Sequence, residues 1–270
     1  MIKDKKMFIL LFLMGIIIVT AVIGPYFLPH DPNYSDISNG LKAPGVRFWF
    51  GTDLHGRDIF SRTIAAGRIS ITASLLIVAV SGIFGTFVGM ISGYAGGKCD
   101  QILMGICDMF LSFPQMVIAI GVAGILGGGL INAMIALAIS NWMLYARLAR
   151  SATLKEKEEL YVTAAKFSGL SDFEIICKHI FVNIKSVIFV TMTLNFSTTL
   201  ISLSGLSFIG IGVQVPKAEW GSMINEGRLY LSTAPWICLF PALAVVFVVF
   251  VFNLSGDYLQ KKYNYKEWKV

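Results

Sequence analysis

Tyr161–Asn183 reads YVTAAKFSGLSDFEIICKHIFVN, and it is the most polar, most punctuated stretch of an otherwise apolar chain. The run leading into it, LKEKEELYVTAAKF (Leu154–Phe167), is rich in helix formers and stops at Gly169, a residue suited to the position just past a helix end. Ser171-Asp172-Phe173-Glu174 then has the capping-box spacing: hydroxyl and carboxylate each satisfy a free amide of a new helix. Behind it Phe173, Ile176, Cys177 and Ile180 recur at helical spacing. The segment therefore reads as helix, turn, helix, with an apolar edge on a piece too short to hold its own core. Such an edge has to be covered. Two readings stay open from shape alone: it folds back on the chain's own helices, or it enters a groove on a partner.

What flanks the hairpin decides the class. Of 270 residues 56% are hydrophobic and 14% charged, and the mean hydropathy is +0.72. No Asp, Glu, Lys or Arg lies in 7–30, 69–97, 109–146, 186–216 or 229–256. A membrane helix needs about 20 apolar residues. The window 109–146 holds parts of two spans, divided by GGGL at Gly127–Leu130, which reads as a tight turn. The expectation is an all-α integral membrane protein with six transmembrane helices near 8–28, 72–94, 103–126, 130–147, 186–209 and 236–256. The first follows basic MIKDKK but is long and lacks a small-residue cleavage site, so it reads as a retained helix.

Orientation follows from Lys and Arg in the loops. With the N-terminus inside, inner segments carry 15 of the 22 basic residues and outer segments 7. Both termini are expected on the cytoplasmic side, and the formal charge of +6 is a topology signal rather than a nucleic-acid signal. The expected division is residues 1–71, a first span with an outer amphipathic segment, and 72–270, a five-helix core with a cytoplasmic hairpin at about 150–183. Within the outer part, Gly56–Ser70 (GRDIFSRTIAAGRIS) reads as a helix lying along the membrane surface. The four cysteines, Cys99, Cys107, Cys177 and Cys238, have neither disulfide-framework nor zinc spacing. No P-loop, Gly-x-Ser-x-Gly or His-Glu-x-x-His motif is present, so the chain is not expected to hydrolyse ATP or to be an enzyme.

The hairpin resembles the cytoplasmic coupling loop of the inner-membrane permeases of bacterial ABC importers. That family pattern is Glu-Ala-Ala, three residues, Gly, nine residues, Ile, one residue, Leu-Pro. Here Thr163-Ala164-Ala165, Gly169, His179, Phe181 and Val182 align with it; Thr163 replaces the glutamate and Val182 the proline. FGTDLHGRDIFSR (Phe50–Arg62), LSFIGIGVQVP (Leu206–Pro216), AEWGSMINEGR (Ala218–Arg228) and FNLSGDYL (Phe252–Leu259) look like signatures of one branch, the second permease of dipeptide, oligopeptide and nickel importers. Asp100, Asp108 and Pro114 also sit where that branch has them.

The resemblance implies a type I importer permease fold in the bacterial cytoplasmic membrane. It implies a related second permease, two ATPase subunits that bind ATP and Mg, and an extracytoplasmic binding protein as partners, with no cofactor on this chain. Thr163, Ala164, Ala165, Gly169, Ser171, Asp172 and His179 would then couple to an ATPase. Asp108, an acid inside a span, is a transport-path candidate, with a shallow structural place as its alternative. Asn195, Ser202 and Ser204 make the fifth span polar enough to line a path, while Gly205, Gly210 and Gly212 there suit close packing. Glu219, Trp220, Arg57 and Asp58 are candidates for an outer gate or a binding-protein contact. No metal site is assigned: His30 and His55, near Asp53, and His179 have no ligand spacing. The departures in the coupling motif, the MIN after AEWGS and the short chain lean toward nickel as cargo, free or chelated. The alternatives are a dipeptide or oligopeptide and, from another class, a gradient-driven transporter.

Overall fold

A computed structural model describes residues 2–267. Ten α-helices account for most of them: α1 (Ile2–Ile23), α2 (Ile59–Ala95), α3 (Gly97–Leu111), α4 (Gln115–Ile125), α5 (Leu130–Lys157), α6 (Leu160–Phe167), α7 (Asp172–Glu174), α8 (Phe181–Phe208), α9 (Trp220–Gly227) and α10 (Trp236–Glu267). A π-helical stretch, Ile175–Ile180, joins α7 to α8 without a break. Among the described residues, four helical stretches are long and apolar enough to cross a membrane: Phe8–Tyr26, Ile59–Ala95, Asp172–Phe208 and Trp236–Lys262.

The expected third span, 103–126, is not one straight helix. Its two halves, α3 and α4, meet at 91° across Ser112-Phe113-Pro114. Pro114 lacks an amide proton and pushes Phe113 out of helical geometry, so the turn opens there. Counted as one span, the pair gives a fifth. α5 has the length of a span at 28 residues, but Asn132, Ser140 and Asn141 interrupt its apolar run. The GGGL turn between α4 and α5 is present. Gly127, Gly128 and Gly129 all adopt positive φ, which side-chain-bearing residues avoid.

Gly56–Ser70 does not form a separate surface helix. Asp58 caps α2, its carboxylate accepting from the Ser61 amide at 3.0 Å, and the helix then runs 37 residues to Ala95. No proline interrupts it, so the expected boundary at 71/72 falls inside α2. At 1.5 Å per residue α2 is about 55 Å long, more than the bilayer core requires.

α2 packs most extensively on α5, and α8 on α10. The α2–α5 seam is a glycine stripe. A Cβ on Gly85 would run into the Trp142 carbonyl, one on Gly89 into that of Ala146, and one on Gly93 against that of Arg150. The spacing of four keeps these glycines on one helix face, the arrangement that lets membrane helices approach closely. A central cluster of Ala73, Ile77, Ala119, Leu137, Leu203 and Leu206 joins α2, α4, α5 and α8. The α6–α7 hairpin sits at the C-terminal end of α2; residues 28–58 and α9 lie at the other end.

Candidate functional site

The hairpin begins where α5 ends at Lys157. α6 closes with two bonds typical of a helix end, from the Gly169 amide to the Lys166 carbonyl at 3.0 Å and from Leu170 to Ala165 at 3.3 Å. Gly169 takes φ +81° to make them. The expected capping box is present in full: the Glu174 amide donates to the Ser171 hydroxyl at 3.3 Å, and the Ser171 amide to the Glu174 carboxylate at 3.2 Å.

The apolar residues of the hairpin divide between a buried face and an exposed one. Val162, Ala165, Ile175, Ile176 and Ile180 fold inward against Met90, Tyr94 and Ala149. Burying each larger aliphatic of that set contributes about 1.5–3 kcal/mol. The other face stays open: Leu160 is 85% exposed, Phe167 89% and Phe173 65%. Thr163 and Ala164 lie exposed between them, so 160, 163, 164 and 167 form one outward stripe at helical spacing. Leu160 and Phe167 escaped the sequence reading, although their spacing from Ala164 carried the signal.

Tyr94, at the end of α2, braces this hairpin. Its hydroxyl donates to Asp172 Oδ1 at 2.7 Å, and its carbonyl accepts from Lys157. The Lys157 and Lys166 ammonium groups lie over its ring, 5.4 and 5.1 Å from the centroid. A second tie joins the two arms: Asn183 donates to the Tyr161 hydroxyl at 2.8 Å, and that hydroxyl donates to Glu156 at 2.5 Å. Burial, and then the hydrogen bond to the Glu156 carboxylate, push the Tyr161 phenol up to about 12. His179 is half-buried, its ring 6.3 Å from that of Tyr161.

The residues expected at an outer gate or a binding-protein contact are engaged in internal ties. Arg57 is 2% exposed, pairing with Asp53 and with Glu226, each at 2.6 Å. Arg62, missed from the sequence, is fully buried beside the same two carboxylates, at 3.7 and 3.5 Å. Asp58 is spent on the α2 cap and on the Ser61 hydroxyl at 2.6 Å, with His30 Nδ1 3.4 Å away. Glu219, also fully buried, caps α9 through the Ser222 amide at 2.9 Å and accepts from Ser70 and Ser204 at 3.2 and 3.4 Å. The Trp220 indole donates to the Thr63 carbonyl at 2.9 Å. None of the four presents a free surface.

The path candidates divide. Asn195 is buried and donates to the Tyr145 hydroxyl at 3.0 Å, tying α8 to α5, while Ser204 is turned to Glu219. Both face the inside of this bundle, and Ser202 is half-buried. Asp108 is exposed on α3, its carboxylate 3.8 Å from Arg147.

A bundle of long apolar helices with a braced hairpin protruding from one end is the architecture of a helical membrane protein. Residues 85–265 match the family of binding-protein-dependent transport system inner membrane components, and the chain belongs to that family. It is 38% identical over 258 residues to the dipeptide transport system permease protein DppC of Alkalihalophilus pseudofirmus, covering 96% of this chain and 85% of that one. It is 39% identical to the probable D,D-dipeptide transport system permease protein DdpC of Escherichia coli K12, covering 90% and 81%. It is 40% identical to the glutathione transport system permease protein GsiD of Escherichia coli, covering 91% and 81%. A chain of the methionine ABC transporter MetNI, solved in inward-facing conformations, shares the fold at TM-score 0.55 and 18% identity, over 72% of this chain and 94% of that one. The chain is thus a permease subunit of an ABC importer, with the type I fold, in the inner membrane.

Proposed function

We infer that this permease forms one half of a translocation path for short peptides and is driven by ATPase subunits that bind its hairpin. The carrying observation is the outward stripe of Leu160, Thr163, Ala164 and Phe167, continued by Phe173, on a hairpin braced against α2. An apolar stripe left in water on a rigid support suits a groove on a partner, here an ATPase subunit loaded with ATP and Mg. Closure of the ATPase pair then moves the hairpin as a lever, and access alternates between the two sides. A second permease supplies the other half of the path, an extracytoplasmic binding protein delivers cargo, and both termini are cytoplasmic with six crossings.

The cargo reading is a short peptide, because the relatives named above carry dipeptides, D,D-dipeptides and glutathione. Two of the three features that leaned toward nickel have another physical account. Thr163 and Val182 are exposed, Thr163 on the outward stripe, so they bear on the ATPase groove rather than on cargo. Met223 of the MIN triplet is buried in the core.

The test is uptake of a radiolabelled dipeptide and, separately, of radioactive nickel, in cells deleted for the chain and in the same cells complemented. Dipeptide uptake should be lost and rescued. Loss and rescue of nickel uptake alone would overturn the cargo assignment. Replacing Leu160, Phe167 and Phe173 together by serine should abolish uptake and co-purification of the ATPase while membrane abundance stays normal. Unchanged ATPase recovery would remove the coupling role.

A further inference from the structure

Between α2 and the hairpin-side half of α8 lies a cavity of about 560 Å³ that opens on the flank of the bundle. Ile83 and Phe87 of α2 and Phe181, Ile188, Phe189 and Met192 of α8 form its apolar wall. From Phe181 to Met192 the groove follows α8 for about 16 Å, close to the depth of one leaflet's hydrocarbon.

One charged group stands at the edge of this wall, Lys185. It is exposed at the cavity rim, immediately before the charge-free run 186–216, and it joins none of the ion pairs among the described residues. A cation at that boundary stands at the level of lipid headgroups.

We propose that the groove holds an anionic phospholipid of the leaflet on the hairpin side. Its phosphate pairs with Lys185, and an acyl chain lies along Phe189 and Met192. The unpaired cation at the rim is complementary to an anionic headgroup, which an apolar protein helix does not offer. The site flanks α2 and α8, the two helices that carry the hairpin's motion, so its occupancy bears on them directly.

The experiment is native mass spectrometry of the full chain in mild detergent, titrated with phosphatidylglycerol or phosphatidylcholine. Phosphatidylglycerol should bind preferentially. Lys185→Gln, a surface change that leaves packing intact, should weaken it about fivefold and bring it to the level of phosphatidylcholine, the effect of one lysine beside an anionic lipid surface. Ser186→Trp, which fills the groove, should abolish retention of both. A photo-cross-linking amino acid at position 189 should capture lipid in cells. Equal retention of the two lipids in the wild type and both variants would overturn the proposal, as would a cross-link from position 189 to another protein subunit.

Discussion

Gly169 and Glu226 carry different kinds of necessity. A Cβ at Gly169 would meet nothing within 4 Å, so its requirement is conformational and not steric. At φ +81° a β-branched side chain costs about 1–2 kcal/mol, whereas asparagine tolerates such a backbone. Gly169→Val should therefore loosen the hairpin and lower uptake severalfold with the protein still in the membrane, and Gly169→Asn should retain most of it. If valine and asparagine behave alike, the left-handed turn is not what matters there. Glu226 is required by charge. It neutralises Arg57 and Arg62, whose side chains are 3% and 1% exposed. Glu226→Gln leaves an uncompensated buried guanidinium and should cost about 3 kcal/mol. Asp108→Asn removes only an exposed 3.8 Å pair with Arg147 and should change stability by about 0.5 kcal/mol or less. Thermal unfolding of the two detergent-purified variants checks the contrast, and equal losses would contradict it.

Among the elements, α2 has the most to hold together, since it touches the hairpin at one end and the Arg57–Glu226 cluster at the other. Its grip on α5 depends on small residues, because in lipid the apolar effect gives helices no reason to associate. Gly89→Leu should force α2 and α5 apart at the Ala146 carbonyl, costing about 3 kcal/mol or more. Gly121→Leu on α4 makes a matched control, since a Cβ there meets nothing within 4 Å. The first variant should be cleared from membranes by proteolysis, and the second should accumulate normally; quantitative blotting of the membrane fraction decides it. Equal abundance would show that the stripe is incidental.

For the whole molecule, what could be read in the chain was what neighbouring residues decide. Charge-free runs marked most of the crossings, Ser171–Glu174 and Gly169 marked the hairpin, and Gly127–Gly129 marked the turn between α4 and α5. What escaped depends on residues far apart in sequence. Arg57 reads as a polar residue on an outer surface until Glu226, 169 positions later, is placed against it. The glycines of α2 look like neutral filler until α5 arrives. Pro114 announces a kink, but the 91° angle belongs to a structure in which α3 and α4 each pack on α5. Orientation belongs to this scale too, because it comes from loop charge summed along the chain and not from any contact. The proposed mechanism requires the hairpin inside and residues 28–58 outside. Ile37 is 81% exposed at one end of the molecule and Phe167 89% exposed at the other. In a Cys99→Ser background, which removes the exposed native thiol, Ile37→Cys should react with a membrane-impermeant maleimide in intact cells. Phe167→Cys should react only after lysis. The reverse pattern would put the stripe of Leu160, Thr163, Ala164 and Phe167 where no ATP-driven subunit can reach it, and the coupling mechanism would fall with it.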